Sequence, residues 1–145
     1  KSHDGFDLSG YLRKSLPFLD RITMIAPVDD GVWLGTASQV IWLTGDSPET
    51  WQFYVRAEYG VIPGTLSYGD AEMVGEGKGG SPLAFFATNR GLCIGDNAGN
   101  LTNATQSRFA YPSQPVGAGV ARRHRGIVQY LATLNGPETA GNTFA

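Results

Sequence analysis

The sequence predicts an all-β fold: antiparallel meanders in a propeller-like arrangement that is incomplete within this chain. Three observations lead there. A hairpin phrase recurs, turn-forming residues punctuate the chain at short intervals, and no stretch carries a helical period. The phrase reads Met24-Ile-Ala-Pro-Val-Asp-Asp-Gly-Val-Trp-Leu-Gly35 and returns as Ala84-Phe-Phe-Ala-Thr-Asn-Arg-Gly-Leu-Cys-Ile-Gly95. Each copy is an apolar strand, a polar turn, a glycine (Gly31, Gly91), a three-residue strand and a second glycine. A looser third copy runs from Val120 to Leu131 with Gly126 in its turn. Repeated hairpins suggest sheets stacked or set around an axis.

Each strand follows from local pattern. Arg21 to Ala26 places Ile22, Met24 and Ala26 on one face, and Pro27 is expected to end it. Asp29-Asp30-Gly31 supplies the turn, because Asp and Gly tolerate its backbone angles. Val32 to Gly35 returns, and Gln39 to Leu43 reads as a strand buried on both faces. Trp51, Phe53 and Val55 alternate with Gln52, Tyr54 and Arg56, which predicts a half-buried fourth strand. The four make a meander near the length of one propeller blade. Tyr59 to Thr65 reads as a compact turn. Strands resume at Leu83–Thr88 and Leu92–Ile94, then the turn Asn97-Ala98-Gly99-Asn100 and Leu101. Phe109–Pro112 reads as a short element, and Val116–Arg122 with Ile127–Leu134 as the third hairpin.

The expected organisation is an N-terminal arm (1–19), a β-propeller-like domain (20–134) with a Gly-rich loop at 69–82, and a flexible tail (135–145). The arm carries Pro17 and two glycines, which argue against a long helix and leave room for one turn around Ser9 to Ser15. It does not read as a signal peptide. At 145 residues the chain is of one-domain size. Its 41% hydrophobic and 11% aromatic content argue for a folded protein. Only 17% of residues are charged and 20 are glycine, which suits a β-rich protein that hides surface against partners.

The net charge of −2 provides no general attraction to nucleic acid. The one basic cluster, Arg122, Arg123, His124 and Arg125, reads as a hairpin tip, either solvated or in contact with a phosphate or acidic partner. No apolar run approaches the roughly 20 residues of a membrane span. Cys93, the single cysteine, reads as a small buried hydrophobe.

Catalytic and metal signatures are absent from the sequence. His3 and His124 are the only histidines and lack ligand spacing. Glu72 and Glu76 fall in the glycine-rich loop, which would not hold a carboxylate pair at fixed separation. That loop, Gly75 to Gly80, lacks the GxxxxGK[ST] pattern. Ser81 precedes Pro82 outside any nucleophile motif. No catalytic, cofactor-binding or metal residue is therefore assigned, no cofactor is expected, and the expectation is a protein without catalysis.

Thr44-Gly-Asp-Ser-Pro-Glu-Thr-Trp51 resembles the Asp-box, S-x-D-x-G-x-T-W, of sialidase-type propellers. Thr44, Asp46, Thr50 and Trp51 fit, and Pro48 stands where the motif has Gly. The resemblance implies a structural turn, with the Asp accepting backbone hydrogen bonds and the Trp packed between strands. A sialidase site would also need an arginine cluster and a Tyr–Glu pair. Arg56, Glu58 and Tyr59 are adjacent in sequence, but adjacent strand residues point to opposite faces.

A wider resemblance rests on Arg21 to Thr36, Val40 to Gly45, Tyr59 to Thr65, Asn89 to Asp96 and Gly126 to Leu134. Over about residues 18 to 134 these phrases look like β-propeller-like virion proteins of tailed bacteriophages, from the tail and head–tail region, nozzle proteins included. The resemblance implies a structural protein of the virion that assembles into a homo-oligomeric ring. Its partners would be portal, adaptor or tail subunits, and DNA would pass through without sequence-specific binding. Trp33, Trp42, Trp51, Phe53, Phe85 and Phe86 are expected mainly in the core. The Gly75–Gly80 loop and the Arg122–Arg125 tip are the expected subunit contacts. Two alternatives remain open: a carbohydrate-binding or glycoside-hydrolysing module of the Asp-box type, and a regulatory propeller fragment of a cellular protein.

Overall fold

The computed structural model describes residues 18, 20–47, 50–70, 73, 81–106, 116–125 and 127–135. The expected arm except Phe18, the Gly75–Gly80 loop, the Phe109–Pro112 element and nearly all of the tail lie outside them. The described strands are antiparallel and form three sheets, none closing on itself. Sheet A is a meander of β1 (Ile22–Val28), β2 (Gly31–Thr36), β3 (Val40–Thr44) and β4 (Gln52–Ala57). Sheet B is a second meander of β5 (Ser67–Asp70), β6 (Pro82–Thr88), β7 (Gly91–Gly95) and β8 (Leu101–Asn103). β9 (Val116–His124) and β10 (Ile127–Asn135) form a hairpin.

The repeated phrase folds into the same object twice. Ala26 opposes Trp33 and Val28 opposes Gly31 in the first copy. Phe86 opposes Cys93 and Thr88 opposes Gly91 in the second, in the same register. Ala26, Trp33, Phe86 and Cys93 all enter one core with Met24, Val40, Trp42, Val61 and Ala84. The sizes are exchanged between copies: small Ala26 beside large Trp33, large Phe86 beside small Cys93. Interiors are packed about as densely as organic crystals, so such complementary volumes let the two faces interlock.

β6 stands second in sheet B yet carries the phrase that β1 carries at the edge of sheet A. Adjacent strands run in opposite directions, so shifting a hairpin by one strand turns its faces over. Equivalent hairpin faces therefore meet in the core, while the two meanders as wholes stack front to back. Gly60-Val61-Ile62 joins them. The Val61 N–H donates to Thr36 O of sheet A (2.9 Å), and the Ile62 N–H donates to Ala87 O of sheet B (3.0 Å).

Each sheet also has a second apolar face. Leu34, Ile41 and Leu43 of sheet A pack with Val32 and Phe18. Leu83, Phe85 and Ile94 of sheet B pack under Ala121 and Tyr130 of the hairpin. The layer order is sheet A, sheet B, hairpin.

Four expectations are corrected. β1 continues through Pro27, which opposes Val32, to Val28. β1 is an edge strand, where a residue without an N–H is tolerated. β4 is not half-buried: Gln52 to Arg56 are exposed on both faces, because β4 is the other edge and no described layer covers it. Trp51 and Phe53 are accordingly exposed, whereas Trp33, Trp42, Phe85 and Phe86 are buried as expected. The expected loop at 69–82 begins inside β5 and ends inside β6, since Gly69 opposes Leu83 and Asp70 opposes Pro82.

Candidate interaction surface

The described chemistry concentrates on the hairpin and on β4. The hairpin is seated on sheet B through Thr65. Thr65 is fully buried; its hydroxyl donates to Ile62 O (2.7 Å) and accepts from the Ala87 N–H (3.0 Å). Its carbonyl accepts a hydrogen bond from the Tyr130 hydroxyl. The Gly117 N–H donates to Pro63 O (2.8 Å), and the Ala121 N–H donates to Ser67 Oγ (2.8 Å). The Tyr130 ring stacks on Phe85 with centroids 5.9 Å apart. Burial pushes the Tyr130 phenol up to about 12, against a smaller opposing effect of its hydrogen bond.

Strand alternation sends the other face of the hairpin to solvent. Val116, Val120, Ile127 and Leu131 lie on that face, 46%, 50%, 61% and 46% exposed. Val120 opposes Leu131 across the strands as an exposed apolar pair, and Arg122 opposes Gln129 beside it on the same face, between that pair and Ile127. Singly exposed apolar residues are ordinary, whereas grouped ones are candidates for docking. The basic cluster adjoins the pair. Arg122, Arg123 and His124 belong to β9, and Arg125 holds the turn at φ 49°. The Arg122 guanidinium donates twice to Gln129 Oε1, at 3.0 and 2.8 Å. The third phrase copy differs here from the other two. His124 opposes Ile127 across the turn that Arg125 holds, whereas Gly31 and Gly91 begin their return strands.

β4 presents Trp51, Phe53, Tyr54 and Val55, each 38–44% exposed. Tyr54 donates to Gln52 Oε1 (2.5 Å), and the Arg56 guanidinium lies 5.4 Å from the Tyr54 ring centre. The preceding turn is closed by the Thr50 N–H donating to Ser47 O (3.0 Å) and the Ser47 N–H donating to Thr50 Oγ1 (3.1 Å). This is the Asp-box-like segment. Its Trp51 stands at the exposed edge and not between strands, which corrects what the motif implies.

The other candidates do not converge. Arg56 turns to Tyr54, while the partly buried Tyr59 points its hydroxyl at Cys93 Sγ, 3.6 Å away. Burial is the main cause that pushes the Tyr59 phenol up to about 12. The Cys93 thiol is buried, as expected, and burial pushes it up despite its hydrogen bonds with Tyr59 and Thr88. Such a thiol is held protonated, which removes its nucleophilic form. His3, Glu72 and Glu76 lie outside the described residues. Among the described residues, no three His, Cys, Asp or Glu side chains could hold a metal ion, and no helix is long and apolar enough to cross a membrane.

Sequence reasoning missed the hairpin's exposed face and the seat at Thr65. The face had a signal: Val116, Ala118 and Val120 share one side of a strand. Thr65 had none, because a buried hydroxyl in a loop has no periodic signature. No family model, curated protein or solved structure matches the chain.

Proposed function

We propose that this chain is a structural subunit that works by packing against other subunits and carries no catalysis. The observation that supports this reading most is the stack itself. Three layers stack, no described sheet closes on itself, and the last layer ends on exposed apolar side chains. Head-to-tail packing of unlike surfaces is the geometry from which rings and filaments are built. The place of action we propose is the tail or head–tail junction of a bacteriophage virion, in a nozzle-like ring beside portal, adaptor or tail subunits. That placement is supported by the sequence resemblance alone. The test is solution mass by light scattering across a concentration series. Growth of the mass supports the reading, and a single monomeric mass throughout counts against it. The viral placement is tested by the gene's surroundings, where portal and capsid genes are expected.

A second reading is favoured by β4. Its exposed Trp51 and Phe53, which alternation places on one face, could serve as a platform for sugar rings. A glycan array with no binding removes it, and binding lost on Trp51→Ala would establish it.

A further inference from the structure

We infer that the partner for the hairpin's exposed face is the outer face of sheet A on a second copy of this chain, joined head to tail. The inference rests on the assembly reading above and names its interface. Within one chain, sheet B lays one face on sheet A and receives the hairpin on the other. Two unlike ends remain. One is the hairpin face with Val116, Val120, Ile127 and Leu131. The other is the outer face of sheet A. Its centre is covered by Phe18, but its flanks keep Ile25 (59% exposed), Phe53 and Val55 in solvent. Phe53 opposes Leu43 and Val55 opposes Ile41, so the exposed flank is continuous with the buried centre.

Charge selects sheet A over a second hairpin. The described hairpin residues carry Arg122, Arg123 and Arg125 and no carboxylate. Two hairpin faces brought together would set arginines near arginines unless they paired end over end. The described residues in and around sheet A carry Asp20, Asp29, Asp30, Asp46 and Glu58 against two arginines. Exposed apolar residues on two elements of opposite charge balance are complementary, and charge of this kind sets orientation and partner choice.

The test uses variants that block one end each. Val120→Glu blocks the hairpin face, and Phe53→Glu blocks sheet A. Both positions are exposed, and thermal unfolding confirms that each variant folds. The wild-type mass is expected to grow with concentration and to fall at high salt, and each variant alone to stay monomeric. An equimolar mixture of the two is expected to double in mass and stop, because one intact hairpin face then meets one intact sheet A. If the wild type associates but the mixture stays monomeric, or either variant still associates alone, this interface is wrong while the assembly reading stands. If the wild type never associates, both fall.

Discussion

Trp33 occupies the space that a side chain at position 95 would need. A β-carbon built on Gly95 would fall 2.6 Å from the Trp33 indole, whose Nε1–H donates to the neighbouring Asp96 O at 2.9 Å. The indole thus reaches from sheet A to the backbone of sheet B, and the missing side chain is what lets the sheets approach. Asp30 and Asn97 repeat the link at the rim. The Asp30 N–H donates to Asn97 Oδ1 (3.1 Å), and Asn97 Nδ2 donates to Asp30 Oδ2 (2.7 Å).

Gly95→Ala is therefore expected to destabilise the fold by about 1–3 kcal/mol, the range for inserting a methyl group into a packed core. The measurement is urea unfolding followed by tryptophan fluorescence. A midpoint unchanged from wild type would mean that Trp33 has room to move and that the two sheets are less tightly joined than described.

The second prediction separates two phenylalanines that look alike in sequence. Phe86 is fully buried between the sheets, and Phe53 is 43% exposed on β4. Phe86→Ala is expected to cost about 3–5 kcal/mol, the usual range for emptying a core aromatic site. Phe53→Ala is expected to cost less than about 1 kcal/mol, as surface positions do. Equal losses in denaturant titrations of the dilute monomer would contradict the layer order.

These two residues also show how far the sequence could be read. The meander β1–β4 was legible because Asp29-Asp30-Gly31 is strong turn chemistry and the apolar runs around it are short. The repeat was legible because Gly31, Gly35, Gly91 and Gly95 sit at matching places. What alternation cannot say is which layer covers an apolar face. Phe53 and Val55 alternate like core residues, yet they belong to an edge strand and stay exposed. β5 escaped notice for the opposite reason. Ser67-Tyr68-Gly69-Asp70 carries no apolar pattern and is a strand only because β6 pairs with it. Pro27 reads as a strand end until the strand is known to be an edge. The exposed hairpin face is a tertiary fact: its residues are ordinary strand formers, and only the seating of the opposite face shows which side is left open.

The third prediction concerns the seat of the hairpin. Thr65→Val keeps the shape but removes the hydroxyl that accepts from the Ala87 N–H. That leaves a buried donor unpaired, and the expected cost is about 1–3 kcal/mol. Tyr130→Phe instead removes only the hydroxyl that bonds Thr65 O, so it is expected to loosen β9 and β10 while sparing the core between the sheets. Amide hydrogen exchange separates the two. Faster exchange in β9 and β10 with unchanged protection at Phe86 is expected for Tyr130→Phe. A uniform rise across the molecule would show that the hairpin is not an independent layer.

The last prediction is a pH dependence. Tyr59 and Tyr130 are both pushed up to about 12 from the ordinary 10.0, with burial the leading cause in each. A phenol whose folded value is raised favours the neutral, protonated form in the fold. The associated stability is fully present below about pH 10 and is lost as the pH rises towards 12, because the unfolded chain releases its protons first. Absorbance at the phenolate band should therefore show Tyr59 and Tyr130 titrating late in the folded protein, with Tyr68 also pushed up by burial, and Tyr130→Phe should remove one late component. The thermal midpoint should hold up to about pH 10 and then decline. If all the tyrosines titrated together near 10 in the folded protein, the burial of Tyr59 against Cys93 and of Tyr130 against Thr65 would be refuted.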